Sequence, residues 1–497
     1  MKVIRFVICV LLLVPLFACR RTAESPAVDT ATDTTATTST QPATFPSIPP
    51  VVISGNIPTV VPIPSDAPAN ATPEQVRPYF DWFSWESFIA LNWPAASNGR
   101  GNPDQPDTPS VFTSMTNTTP VTWSTYKANW ELFDQYDKRP TPWNDYAAPY
   151  APALCPQAAP TDKQLVMVTK GDTELQDVNQ AFSFPLVDQQ KNFVYFEVRY
   201  NEPQYDWIRG ADDQPNTWLY LVKNLPPGTV VSLPPNQQNP ADSIMLKAAW
   251  RILTGLPAAQ QQRYYTVNAW VYNSATKQCT QQPMGLIGFH IAQKTSLFPE
   301  WIWSTFEQID NVPPMADNVP SSFNNGTENP PTNGQGFANR PTYQQPGQLP
   351  ANPTPTQVVR VNPIPTTPTG ASTVDVNNAF HAALPANSVW RYYQLVITQW
   401  PSNPENFKAP ADRGVYPEDS GGAFPVNGAV NTVIETYFQT PELAIGAGGN
   451  SCMSCHYNAG NGQRDFSWGL TRRPHQDAPP PANSKMKATG AQTAPAK

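Results

Sequence analysis

Between about residue 163 and residue 310, apolar residues recur with a period of two, and turns rather than helices join the runs that carry it. Phe193 to Tyr200 reads FVYFEVRY, dense in β-branched and aromatic side chains. Ser243 to Leu253, Tyr264 to Tyr272, Met284 to Ala292 and Trp301 to Phe306 follow, with Val166-Met167-Val168 as a shorter candidate ahead. Such alternation puts successive side chains on opposite sides of a pleated strand. The joints include Pro226-Pro227-Gly228 and Asn236 to Pro240, made of residues that favour turns. Strands that follow one another without crossover helices point to antiparallel pairing. The expected fold class is therefore α+β, mainly β. It is an antiparallel β-sheet or sandwich body with a few helices, long Pro-rich loops and a C-terminal segment. The 59 prolines and 15 tryptophans, with only 14% charged residues, agree with a loop-rich, aromatically packed body rather than a helical bundle.

Order is expected to begin at Thr72. Thr72-Pro73-Glu74-Gln75 has a threonine cap, a proline at the first helical position and a glutamine at the third. Pro78 is expected to interrupt that helix, and a second helical run follows from Phe80 to Trp93. Its stripe of Trp82, Trp85, Phe88, Ile89 and Trp93 reads as core packing. Residues 72–310 are expected to form the β body. Residues 311–370, rich in Pro, Asn, Gly and Thr, read as a linker or a wrapping loop before a segment at 371–473. Val389 to Trp400 is another strong strand, and in the same sheet it would leave that division incomplete. Thr432 to Phe438 reads as a short helix. Residues 19–71 read as a disordered tether and 474–497 as a disordered tail. No phosphate-binding GxxxxGK, dinucleotide fingerprint or GxSxG nucleophile signature is present. A formal charge of −7 without a basic stripe argues against nucleic-acid binding.

The N-terminus carries an export pattern. Lys2 and Arg5 precede an apolar run, Phe6 to Ala18, too short for a permanent membrane span. It ends Leu16-Phe17-Ala18-Cys19, which resembles a bacterial lipobox, although Phe17 is bulkier than the residue usual there. The resemblance implies a signal peptide over 1–18 and lipidation of Cys19, with an ordinary cleaved signal peptide as the alternative. Arg20 rather than Asp follows Cys19. By resemblance to lipoprotein sorting, that implies an outer-membrane anchor facing the periplasm.

Near the other end lies Cys452-Met453-Ser454-Cys455-His456. With 6 Cys and 4 His in 497 residues, a chance CxxCH is expected in roughly six chains of this composition per ten thousand. A zinc site would need two further ligands at suitable spacing, and a thioredoxin-like pair would need a βαβ setting. Neither is visible, and a simple Cys452–Cys455 disulfide is the remaining alternative. Over about residues 450 to 470 the chain resembles c-type cytochromes. The resemblance implies one covalent haem c, thioether bonds from Cys452 and Cys455, and His456 as the proximal iron ligand. It implies electron transfer with a periplasmic redox partner protein. The alternative is a haem-dependent, peroxidase-like oxidoreductase or a haem-based sensor of small ligands.

A distal ligand has to fold in from upstream, because His475 and Met486 lie in the expected tail. His290 is the leading candidate, flanked along its strand by the small residues Gly288 and Ala292. His381, Met284 and Met245 are further candidates. Phe466 and Trp468 are placed to cover the macrocycle, and Arg391, Tyr392 and Arg464 to meet its propionates. Cys155 and Cys279 remain, either as a disulfide or as two separate thiols.

Overall fold

The computed structural model describes residues 49–67, 71–133, 139–145, 155, 164–165, 184–210, 231–235, 241–273, 278–313, 319–326, 350, 352–366, 371–401, 423–425, 428–439, 451–457, 459 and 463–471. The leader, Cys19, Val166 to Val168, His475 and Met486 lie outside them.

The period-two runs form strands. They are β1 Lys127–Ala128, β2 Gln164–Leu165, β3 Tyr195–Tyr200, β4 Ile244–Ile252, β5 Thr266–Asn273, β6 Gln278–Gln293, β7 Ile302–Gln308, β8 Tyr393–Pro401 and β9 Ala423–Phe424. The order β1-β3-β4-β6-β7-β8-β9 is antiparallel throughout. The long β6 also pairs with β5, which takes β2 as a parallel neighbour. The fold is α+β and mainly β; β3, β4, β5, β6, β7 and β8 each have a forerunner in the alternation, with β6 starting six residues earlier than expected, whereas the two-residue strands β1 and β9 have none.

Register defines two rows on one face of the sheet. Lys247, His290, Thr305 and Ile397 form the first; Met245, Ala292, Trp303 and Gln399 form the second. The opposite face receives the helix Pro73–Leu91. Its Ser84 hydroxyl meets the Ser304 and Thr398 hydroxyls at 2.7 and 2.8 Å, and Phe88 stacks on Phe306 with ring centroids 4.2 Å apart. A second helix, Thr373–Ala383, packs beside it through Trp85 stacked on Phe380 and a Trp85 Nε1–H to Asn377 Oδ1 bond of 2.7 Å.

The expected break at Pro78 does not occur: Pro73–Leu91 is one helix, capped by Thr72 and Gln75. An interior proline costs about 3 kcal/mol. Burying a large apolar side chain returns roughly 1.5–3 kcal/mol, and Trp85, Phe88, Ile89 and Leu91 are all 1% exposed or less. Burial therefore outweighs the lost hydrogen bond.

The expected tether is shorter than 19–71. Residues 49–67 run over the body, with Val61 buried beside Phe298 and Trp400, and the Gly55 amide bonded to the Pro106 carbonyl at 2.8 Å. A Cβ on Gly55 would lie 2.8 Å from the Trp93 ring, so only glycine permits this approach. The apolar repeat Val51, Ile53, Ile57, Val61 gives this stretch something to bury, which a purely polar leader lacks.

The sheet also runs through the expected boundary. β7 and β8 flank residues 311–370 and pair from Trp303–Gln399 to Gln308–Tyr393. The described part of that stretch wraps the body: Val358 is fully buried, its amide bonded to the Phe323 carbonyl, and Arg360 pairs with Glu307 at 2.5 Å. The helix expected over Thr432 to Phe438 is reduced to a 3₁₀ turn, Thr436–Phe438. Upstream, Asn431 and Glu307 cap the Val433 and Thr432 amides, and the Glu435 amide closes one helical turn on the Asn431 carbonyl at 3.0 Å before the chain tightens, the Phe438 amide bonding the Glu435 carbonyl three residues back. Cys155 and Cys279 are joined in a disulfide with Cα atoms 5.3 Å apart. No helix among the described residues is long and apolar enough to cross a membrane.

Candidate functional site

The CxxCH motif forms a one-and-a-half-turn helix, Cys452–Tyr457, against the sheet face that carries the two rows. Its start is fixed by polar bonding. The Ser451 hydroxyl accepts the Ser454 amide at 3.3 Å, and Gln399 on β8 accepts the Met453 amide at 2.8 Å and donates to Ser451 Oγ at 2.9 Å. Met453 is fully buried and anchors the helix in the core. With Met453 turned inward, Cys452, Cys455 and His456 are left half-buried at the surface.

Neither motif cysteine is in a disulfide. Cys452 Sγ lies 3.4 Å from the Ala429 carbonyl and packs against Val396 and Ile397. Burial, then the charges of Glu435 and Cys455, push its thiol pKa well above the usual range. His456 Nδ1 lies 2.8 Å from the Phe466 carbonyl. A carbonyl can only accept, so Nδ1 carries the proton and the lone pair sits on Nε2. The imidazole leans on Trp303 of β7, ring centroids 4.5 Å apart at 49°. Two thiols that are not bonded to each other, followed by an imidazole in the Nε2-ligating tautomer, are the donor set that a covalent haem requires. The residues present fit that group.

His290 stands on the same sheet face as Trp303, one row away. Its Nε2 is 3.3 Å from Glu435 Oε2, a contact that is an ion pair when the ring is protonated. Burial works to raise the Glu435 pKa, but His290, Lys247 and the Asn431 amide together bring it down to about 2. The space expected beside His290 is filled on one side. A Cβ on Gly288 would lie 2.8 Å from Val433 and 3.1 Å from Ile434.

The other candidates divide by location. His381 lies with the helices of the opposite face; its Nε2–H donates to the Tyr393 carbonyl at 2.6 Å and its ring meets Trp85 edge-on. Met284 and Met245 are both buried in the core, Met245 in the row of Ala292 and Trp303. Arg391 and Tyr392 precede β8, whose first residue, Tyr393, lies about 20 Å along the strand from Gln399 at ~3.3 Å per residue. There Arg391 reaches the Leu384 carbonyl, and the Arg263 guanidinium covers the Tyr392 ring. Phe466 is fully buried at 6.4 Å from Trp303, and it serves the motif through its carbonyl as well as its ring.

Trp303, Gln399, Lys294 and Asp465 support the motif without having been singled out in the sequence. Alternation placed Trp303 on a strand. Only the sheet shows that its face is the one that the motif helix covers. Among the described residues, no group of three or more His, Cys, Asp or Glu is arranged to hold a bare metal ion. No protein-family model, curated protein or solved structure matches this chain.

Proposed function

We propose that this chain is a monohaem c-type electron-transfer protein, exported and held by a lipid on Cys19 to the periplasmic side of the outer membrane. Cys452 and Cys455 would supply the thioether bonds and His456 Nε2 the proximal iron ligand. The bound group supplies one-electron chemistry. The chain's part is to fix the imidazole through the Phe466 carbonyl, to hold the motif helix through Gln399, and to cover one flank with Trp303 and Phe466. The observation that carries the reading is the His456 Nδ1–H bond to a backbone carbonyl, next to two thiols that are not bonded to each other. The partner is a periplasmic redox protein.

A second reading, a small-ligand sensor or peroxidase-like oxidoreductase, is favoured by one contact. His290 Nε2 faces Glu435, so ligation through Nε2 would require the ring to leave that carboxylate.

The test uses full-length protein produced with haem-attachment machinery. Intact mass should show one haem and one lipid modification, and the pyridine derivative should have the thioether spectrum. Unmodified cysteines reject the haem reading. A low-spin spectrum unmoved by CO or cyanide supports the carrier; a ligand-sensitive high-spin ferric band supports the second reading. In His290→Ala, an unchanged spectrum rejects His290 as the distal ligand.

A further inference from the structure

We propose that Asp465, held by the buried Lys294, is a positioning residue that sets the imidazole tautomer of His456. Its effect on iron rests on the haem reading above, whereas its geometry does not.

Asp465 is 1% exposed. Its carboxylate receives the Lys294 ammonium, from just beyond the end of β6, and the Leu233 amide at 2.6 Å. Its backbone carbonyl accepts the Trp301 indole N–H at 3.1 Å. Two distant stretches of chain, the one around Leu233 and the connection between β6 and β7, therefore converge on this one residue. The next residue, Phe466, turns its carbonyl to His456 Nδ1 at 2.8 Å.

The backbone at this point is strained. Asp465 and Phe466 have φ of 46° and 59°, and Trp301 has 73°. A non-glycine residue in this region costs about 1–3 kcal/mol. Only two other described non-glycine residues, Gln105 and Lys191, share a positive φ, so the strain is concentrated at this contact. Such a conformation persists only where its surroundings over-determine it, and the salt bridge, amide and indole do so here.

Stability alone does not account for the ion pair. A well-packed apolar pair commonly serves as well as a buried salt bridge. An apolar pair has no directional hold on the 465–466 backbone. Release of Asp465 would let Phe466 relax toward negative φ and swing its carbonyl away from Nδ1. The imidazole would then lose the bond that fixes its tautomer and raises its strength as a donor at Nε2.

The experiment follows His456 in the full-length chain before haem attachment, by nitrogen-15 NMR in alkaline buffer where the ring is neutral. Native protein should show the Nδ1–H tautomer. Asp465→Asn and Lys294→Met should shift His456 toward Nε2–H, while His290 keeps its native signals. An Nε2–H tautomer in the native chain overturns the proposal, whether or not the variants fold. Folded variants that keep the native tautomer overturn it as well. After haem attachment, both variants should retain the haem mass and show a higher reduction potential than native protein; equal potentials overturn the proposal. A native chain without covalent haem would remove the proposed function, and the haem-free spectra would still decide the role of Asp465.

Discussion

Asp81 lies fully buried in the Pro73–Leu91 helix, where its Oδ2 accepts the Thr373 hydroxyl at 2.6 Å and its Oδ1 has no hydrogen-bond partner. Burial raises its pKa from 3.8 to about 6, against the lowering effects of Thr373, Thr398 and Arg77. A raised carboxyl means that the folded state binds more protons than the unfolded state between those values. This group therefore supports folding at low pH, and its support is lost as pH rises from about 4 through about 6. The expected loss is on the order of 3 kcal/mol or less. Urea denaturation across that window should show it, and Asp81→Asn should flatten the dependence; a native curve without this descent rejects the assignment. Residue identities were legible unevenly. Cys452, Cys455 and His456 could be read because their spacing is local and their residue types are rare in this chain. Asp465 and Lys294 could not, because a salt bridge across 171 positions leaves no mark on either neighbourhood.

At the scale of elements, strands were easier to read than the segments laid over them. Alternation reports a strand's two faces but not what covers each. That is why the room expected beside His290 turns out to be occupied: Val433 and Ile434 sit over Gly288. Gly288→Ala should cost about 1–3 kcal/mol by overpacking. Because the displaced segment carries Glu435, the variant should also move the His290 signals in an NMR spectrum. Full native stability in denaturant would show that the segment yields easily. Helices obeyed a similar rule. The Thr72 cap and the aromatic stripe gave the first helix, whereas Pro78 was read as a stop because local geometry was weighed without burial.

At the scale of the whole molecule, a disulfide ties Cys155 to Cys279 at one end of the long β6, closing a span of 124 residues. Removing it by Cys155→Ser with Cys279→Ser should cost about 2–5 kcal/mol, mostly by freeing the unfolded chain. A midpoint in denaturant equal to that of native protein would show that the link carries no such load. Fold class was legible because one sheet dominates the body and its period is audible in the sequence. The division at 311–370 was not, since proline-rich composition looks the same in a linker and in a wrapping loop.

The pairing of β7 with β8 also sets an order of arrival. Lys294, Trp303 and Gln399 all precede Cys452 in the chain, so a polypeptide threaded from its N-terminus delivers its landing surface before the motif emerges. Of the supports described, Asp465 and Phe466 follow the motif helix, with the turn at Trp468–Thr471 beyond them. Were haem attached as proposed, the thiols would emerge onto a sheet already formed, with the carbonyl that fixes the imidazole following ten residues after His456.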